Sequence, residues 1–172
     1  MSGIDIRPTI IAKSGYKIPM YKMLNKKIKI MKTKITQSVI GGLVATLVMT
    51  MVMFIGPFMG MPKMNPAAML SMMMGVPVFV GWIMHFMAGV IFALMYVFLL
   101  LPLLKNVKSK IAKGAIFGMA AFVLAQIAMM GMGAMLGNMP KPEGSMMLMM
   151  LGSIMGHVVF GIVVALFVKE EA

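Results

Sequence analysis

The chain contains no cysteine, which excludes disulfides, thiolate metal sites and cysteine nucleophiles together. It has four acidic residues in 172, and none falls inside the long apolar stretches described below. Paired-carboxylate and triad catalysis are therefore excluded, as are most designs for proton-coupled transport, because no carboxylate is placed to relay a proton. No phosphate-binding loop and no HExxH zinc motif occurs. Charged residues make up only 12% of the chain, against 61% hydrophobic, with a mean hydropathy of +0.98. Soluble domains run nearer about 45–50% apolar. So little polar surface cannot coat a water-soluble globule.

What is present is four long uncharged runs, at about 38–60, 76–101, 114–136 and 146–168. Each supplies the roughly 20 residues that cross about 30 Å of hydrocarbon as a helix. Only helices and closed barrels satisfy their backbone in lipid, and these runs are too long and too evenly apolar for barrel strands. The expected fold class is an all-α membrane protein, a four-transmembrane-helix bundle.

The net charge is +12, but it is not spread as a nucleic-acid-binding face requires, and no nucleic-acid partner is expected. Nine of the 16 basic residues precede residue 35. The loop between spans two and three holds Lys105, Lys108, Lys110 and Lys113, while the other two loops hold only Lys63 and Lys141. The positive-inside rule then places both termini and the middle loop in the cytoplasm. Residues 1–34 form a basic cytoplasmic arm and 35–172 the transmembrane domain. Residues 1–30 read either as a weakly structured arm lying on the membrane, with "YKMLNKKIKIMK" as a short interfacial helix, or as an over-extended start, since "MKTKITQSVIGG" from Met31 resembles a natural beginning.

In the first outer loop, Asn65 followed by Pro66 is a helix start, and Gly75 and Pro77 end it, so 66–74 should form a short interfacial helix. Pro57 should kink or end the first span.

The second and fourth spans align through their histidines. "HFMAGVIFALMYV" from His85 matches "HVVFGIVVALFV" from His157, with Gly89 on Gly161 and Ala93 on Ala165. Gly42 matches Gly114, and "MPK" occurs at both 61–63 and 139–141. Two tandem two-helix hairpins, related by an axis along the bilayer normal, are expected.

Each histidine lies on a stripe of small residues at steps of four: Gly81, His85, Gly89, Ala93 and Ser153, His157, Gly161, Ala165. Such stripes mark where membrane helices approach closely, so both imidazoles should face inward. An ionisable residue inside a span is a candidate functional group; the plainer role is a neutral ring hydrogen-bonded across a helix interface. Available partners are Thr46, Thr50, Tyr96, Gln126 and Ser153.

Methionine is the other excess, with 28 copies, of which twelve fall between Met49 and Met87 and ten between Met129 and Met155. Both windows cover the outward half of the expected topology. Thioethers and imidazoles are ligands for Cu(I). His85 and His157, with Met61, Met64, Met72, Met73, Met74, Met146, Met147 and Met150, are the candidate copper ligands. Haem b held between the two imidazoles is the other candidate cofactor.

The runs "GGLVATLVMT", "GMPKMN" and "GWIMHFMAGVIFALMY" resemble an uncharacterised family of small bacterial inner-membrane proteins with four predicted spans, over about residues 36–168. The resemblance implies a four-helix inner-membrane fold and no established activity. Together these features predict a non-enzymatic, multi-pass protein of the bacterial inner membrane. It would be a binding or accessory component, as a homo-oligomer or as part of a larger membrane complex. A Cu(I) or haem carrier is the first alternative and a small transporter the second.

Overall fold

The computed structural model describes residues 9–11, 17–137 and 144–169. The second "MPK" with Lys141, the basic residues Arg7 and Lys13, and residues 170–172 lie outside the described residues. The chain divides into two units, Met1–Thr36 and Gln37–Ala172.

In the first unit, β1 (Thr9–Ile11) pairs antiparallel with β2 (Lys17–Pro19), Ile10 opposite Ile18. Helix α1 then runs unbroken from Met20 to Ile55. Of the arm expected to be weakly structured, the described residues 9–11 and 17–19 pair as strands and those from Met20 on are helical. Lysine, methionine and leucine are good helix formers, and the basic stretch simply continues the turn of the first span. The short helix expected at "YKMLNKKIKIMK" is the beginning of α1.

In the second unit, α1 ends where Pro57 breaks its ladder. A 3₁₀ turn covers Gly56–Met59, and Gly60, at φ 82°, donates its N–H to the Gly56 and Pro57 carbonyls. Helix α2 (Pro66–Met74) starts at Asn65, whose Oδ1 accepts from the Ala68 N–H at 3.0 Å, and ends at Gly75, φ 65°. Helix α3 spans Val78–Met95 and widens into a π turn at Tyr96–Leu100 before the short α4 (Leu101–Leu103). Pro102 accounts for the widening, because it offers no N–H and its ring crowds the preceding turn. Helices α5 (Lys110–Leu136) and α6 (Met146–Phe167) complete the chain, each capped by a serine, Ser109 and Ser145.

Four segments, Met20–Met59, Val78–Leu103, Lys110–Leu136 and Met146–Phe167, are long and apolar enough to cross a membrane. The protein is a multi-pass, all-α membrane protein with a four-helix bundle. Helix α2 does more than lie at an interface. Ala67, Ser71 and Met73 are buried, and a methyl group at Gly81 of α3 would overlap the Ala67 carbonyl.

Bundle packing rests on small residues. The whole buried face of α3 is Gly81, His85, Gly89 and Ala93. A methyl at Gly42 of α1 would meet the Gly89 carbonyl oxygen and Val90 Cα, both at 2.9 Å. On the other side, a methyl at Gly114 of α5 would lie 2.7 Å from the Gly161 carbonyl oxygen of α6. Lipid tails are as apolar as leucine, so helices associate by such close packing rather than by escape from solvent. At one end of the bundle Lys110 Nζ donates to the Val168 carbonyl (3.4 Å), and the Lys169 N–H donates to Gln37 Oε1 (3.1 Å). Both bonds satisfy the terminal backbone of α6, and the lysine charge also opposes its helix dipole.

Candidate functional site

His85 lies on the buried small-residue stripe of α3, whereas the buried residues of α6 are Gly152, Gly156, Phe160, Gly161, Val164 and Ala165, and Ser153 and His157 are half-buried beside them. His85 Nε2 lies 3.2 Å from Thr50 Oγ1 of α1. Thr50 Oγ1 also donates to the Thr46 carbonyl at 2.7 Å, and Thr46 Oγ1 in turn donates to the Gly42 carbonyl at 2.7 Å. A hydroxyl has one hydrogen, and a carbonyl can only accept. The Thr50 hydrogen is committed to Thr46, so Thr50 Oγ1 accepts from His85 Nε2–H. The neutral ring then carries its lone pair on Nδ1. This proton placement follows from the hydrogen-bond network.

His157 is held differently. Its Nδ1 donates to the Ser153 carbonyl of its own helix at 2.8 Å. The neutral ring therefore keeps its lone pair on Nε2, the opposite tautomer to His85. Its aromatic neighbour is Phe122 of α5, edge-on with centroids 5.7 Å apart. His85 sits edge-on to Trp82 (6.1 Å) and Phe86 (6.0 Å). Trp82 also meets Phe54 at 6.2 Å. The rings thus occupy two seams, α1–α3 and α5–α6.

Of the other partners expected from sequence, Ser153 contributes its carbonyl to His157. Tyr96 is buried far along α3, against Phe117 at 4.9 Å. Gln126 is exposed on α5 and meets neither histidine.

The methionines separate into groups. Met61 and Met64 reach α6, where a methyl at Gly152 would lie 3.4 Å from Met61 Cε and 2.6 Å from Met64 Cε. Met72, Met74, Met146, Met147 and Met150 are exposed, Met147 to 73%. Met73 is 1% exposed and packs in the interior. The candidate copper set is therefore divided between the bundle interior and its surface. Two methionines that sequence reasoning passed over, Met49 and Met53 of α1, lie against Gly156 of α6, with Met53 Cε 2.8 Å from where a methyl would sit. Their signal was available: Ala45, Met49 and Met53 recur at steps of four, the period of a buried helix face. The aromatic neighbours Trp82, Phe86 and Phe122 were passed over too.

Among the described residues, no group of three or more histidine, aspartate or glutamate side chains could hold a metal. An apolar groove of about 460 Å³, lined by Leu43, Trp82, Phe86 and Val90 among others, runs between α1 and α3. Its lining is almost wholly apolar.

No curated protein and no solved structure matches the chain. A family match covers residues 32–170, taking in three of the apolar helices and all but the first twelve residues of α1, and leaving most of the basic arm outside. By that match the chain belongs to the family of unknown function DUF6789.

Proposed function

We propose that this is a non-enzymatic protein of the bacterial inner membrane, with both termini cytoplasmic, serving as a small accessory component of a membrane complex. The observation that carries this is the way each imidazole is used. Each is fixed by one hydrogen bond and one or more edge-on aromatic rings in a separate helix seam. That is what packing requires: Thr50 commits its only hydroxyl hydrogen to the Thr46 carbonyl, so it has none to give His85, and neither ring meets a carboxylate among the described residues. Support for the orientation comes from lysine placement. In-membrane cross-linking followed by purification tests the proposal. It predicts that a defined larger membrane partner is recovered in fixed proportion; recovery of this chain with no reproducible partner would refute it.

We further infer that the transmembrane part is a tandem pair of helical hairpins. Gly42 and Gly114, Gly89 and Gly161, and His85 and His157 are each 72 residues apart. Support comes from the contacts, because Gly42 meets Gly89 as Gly114 meets Gly161.

A second reading, a Cu(I) carrier, is favoured by four thioether side chains, Met49, Met53, Met61 and Met64, lying against Gly152 and Gly156 on one stripe of α6. Purified protein loaded with Cu(I) and washed should then retain metal, and Met53→Leu/Met64→Leu should lose it. Equal retention by both would count against the site. Haem is less well supported. Ligation through the Nε2 of His85 would require breaking its bond to Thr50, and a preparation without a Soret band would exclude it.

A further inference from the structure

Gln126 sits where a polar side chain has little reason to be. It lies twelve residues from Gly114 and ten from Leu136, so about 18 Å and 15 Å of helix separate it from the ends of the apolar run. Its two-methylene side chain does not reach either interface. It is exposed on the surface of the bundle and has no hydrogen-bond partner among the described residues. An amide left unpaired in hydrocarbon costs about 2–7 kcal/mol.

Four exposed apolar residues share its face of α5. Ile116, Met119, Val123, Gln126 and Met130 follow one another at spacings of three, four, three and four. All five are exposed, the four apolar ones between 42% and 65%. This is the seam spacing of a two-helix coiled coil, with one polar residue inside it.

We propose that this strip of α5 is a homodimer interface, with Gln126 of one copy hydrogen-bonded to Gln126 of the other. Copies inserted by the same topogenic rule share one orientation, so a two-fold axis between them runs along the membrane normal and brings α5 against α5 in parallel. In a parallel pair each seam residue meets its own counterpart. The glutamine amide both donates and accepts, so it satisfies its twin without help from a second residue type. A different helix on this strip would need its own polar group at that one depth. The inference does not depend on the accessory role proposed above, nor on which end faces the cytoplasm.

The absence of cysteine makes the test direct. Single variants Met119→Cys, Val123→Cys and Met130→Cys keep Gln126 intact; Leu124→Cys and Ala128→Cys report on a neighbouring exposed face of the same helix. After iodine oxidation in native membranes, disulfide-linked dimers should form at the three seam positions at least about fivefold more than at the two controls, as their proximity requires. Equal yields, a maximum at Leu124 or Ala128, or cross-links only to a different protein would overturn the proposal. Dilution of fluorescently labelled protein in lipid vesicles gives the second readout. Gln126→Leu should raise the dimer dissociation constant about three- to tenfold and Gln126→Asn should largely retain it, following the modest strength of such bonds. A Gln126→Leu chain that dimerises like the wild type would refute the role of the amide.

Discussion

The pairs α1–α3 and α5–α6 use corresponding positions to opposite ends. In the first pair, Thr46 and Thr50 face α3 and hold His85. Seventy-two residues on, those positions are Gly118 and Phe122, and His157 must turn to its own backbone. Backbone approach changes with them. A methyl at Gly89 would strike the hydroxyl of Thr46, a side chain, whereas methyls at Gly118 and Gly161 would strike the carbonyls of His157 and Gly114. The comparison teaches that a membrane helix pair can be closed by a hydroxyl between the helices or by backbone meeting backbone. The imidazoles differ as well: His85 bonds the Thr50 hydroxyl across the pair, and His157, with Phe122 at the corresponding place, bonds its own helix backbone.

The strongest way to break the comparison is to force the second pair apart. Gly161→Leu should destabilise the bundle by about 3 kcal/mol, through overpacking against a backbone that cannot yield. A large drop in thermal unfolding temperature in detergent would register it. A smaller effect separates the two pairs. Gly118→Ala should cost about 2 kcal/mol and resist rescue, while Gly89→Ala should be partly relieved by Thr46→Ala, since only there is the obstruction a removable side chain. A double-mutant cycle with no coupling between Gly89 and Thr46 would contradict this. Smaller again, Thr50→Val should cost about 0.6–1.7 kcal/mol. It should also free the His85 ring from its Nε2–H tautomer while leaving His157 unchanged, visible in the nitrogen NMR shifts of the two imidazoles. The least effect is expected at Gly156→Ala, within about 0.5 kcal/mol, because the obstructing group is the flexible end of Met53.

Much of this was legible in the chain. Composition and run length were sufficient for the four spans, because hydrocarbon thickness sets helix length directly. The small stripe of α3 located its inward face, since Gly81, His85, Gly89 and Ala93 are its complete buried set, whereas on α6 only Gly161 and Ala165 of the four stripe residues are buried. Asn65, Pro66 and Gly75 act locally, and their local chemistry placed α2 correctly. What sequence could not supply was pairing. That Thr50 reaches His85 while Phe122 meets His157 depends on which helix lies beside which, and periodicity holds no information about that. The methionines show the same limit. Their clustering along the chain does not say which of them share a side, and neighbours such as Met72 and Met73 point about 100° apart on one helix, one exposed and one buried. A helix at "YKMLNKKIKIMK" was legible, but its unbroken run into the first span was not, because lysine serves equally as a topology signal and as a helix former.

The bond from Lys169 to Gln37 joins residues 132 positions apart. During biogenesis the first crossing therefore leaves the ribosome on the order of ten seconds before its fastening partner exists, at about 5–20 residues per second. Until then the growing chain must be sheltered by the insertion machinery. A message truncated just ahead of Lys169 would yield a product with all four crossings but no clasp, and quality-control proteases would be expected to clear it first.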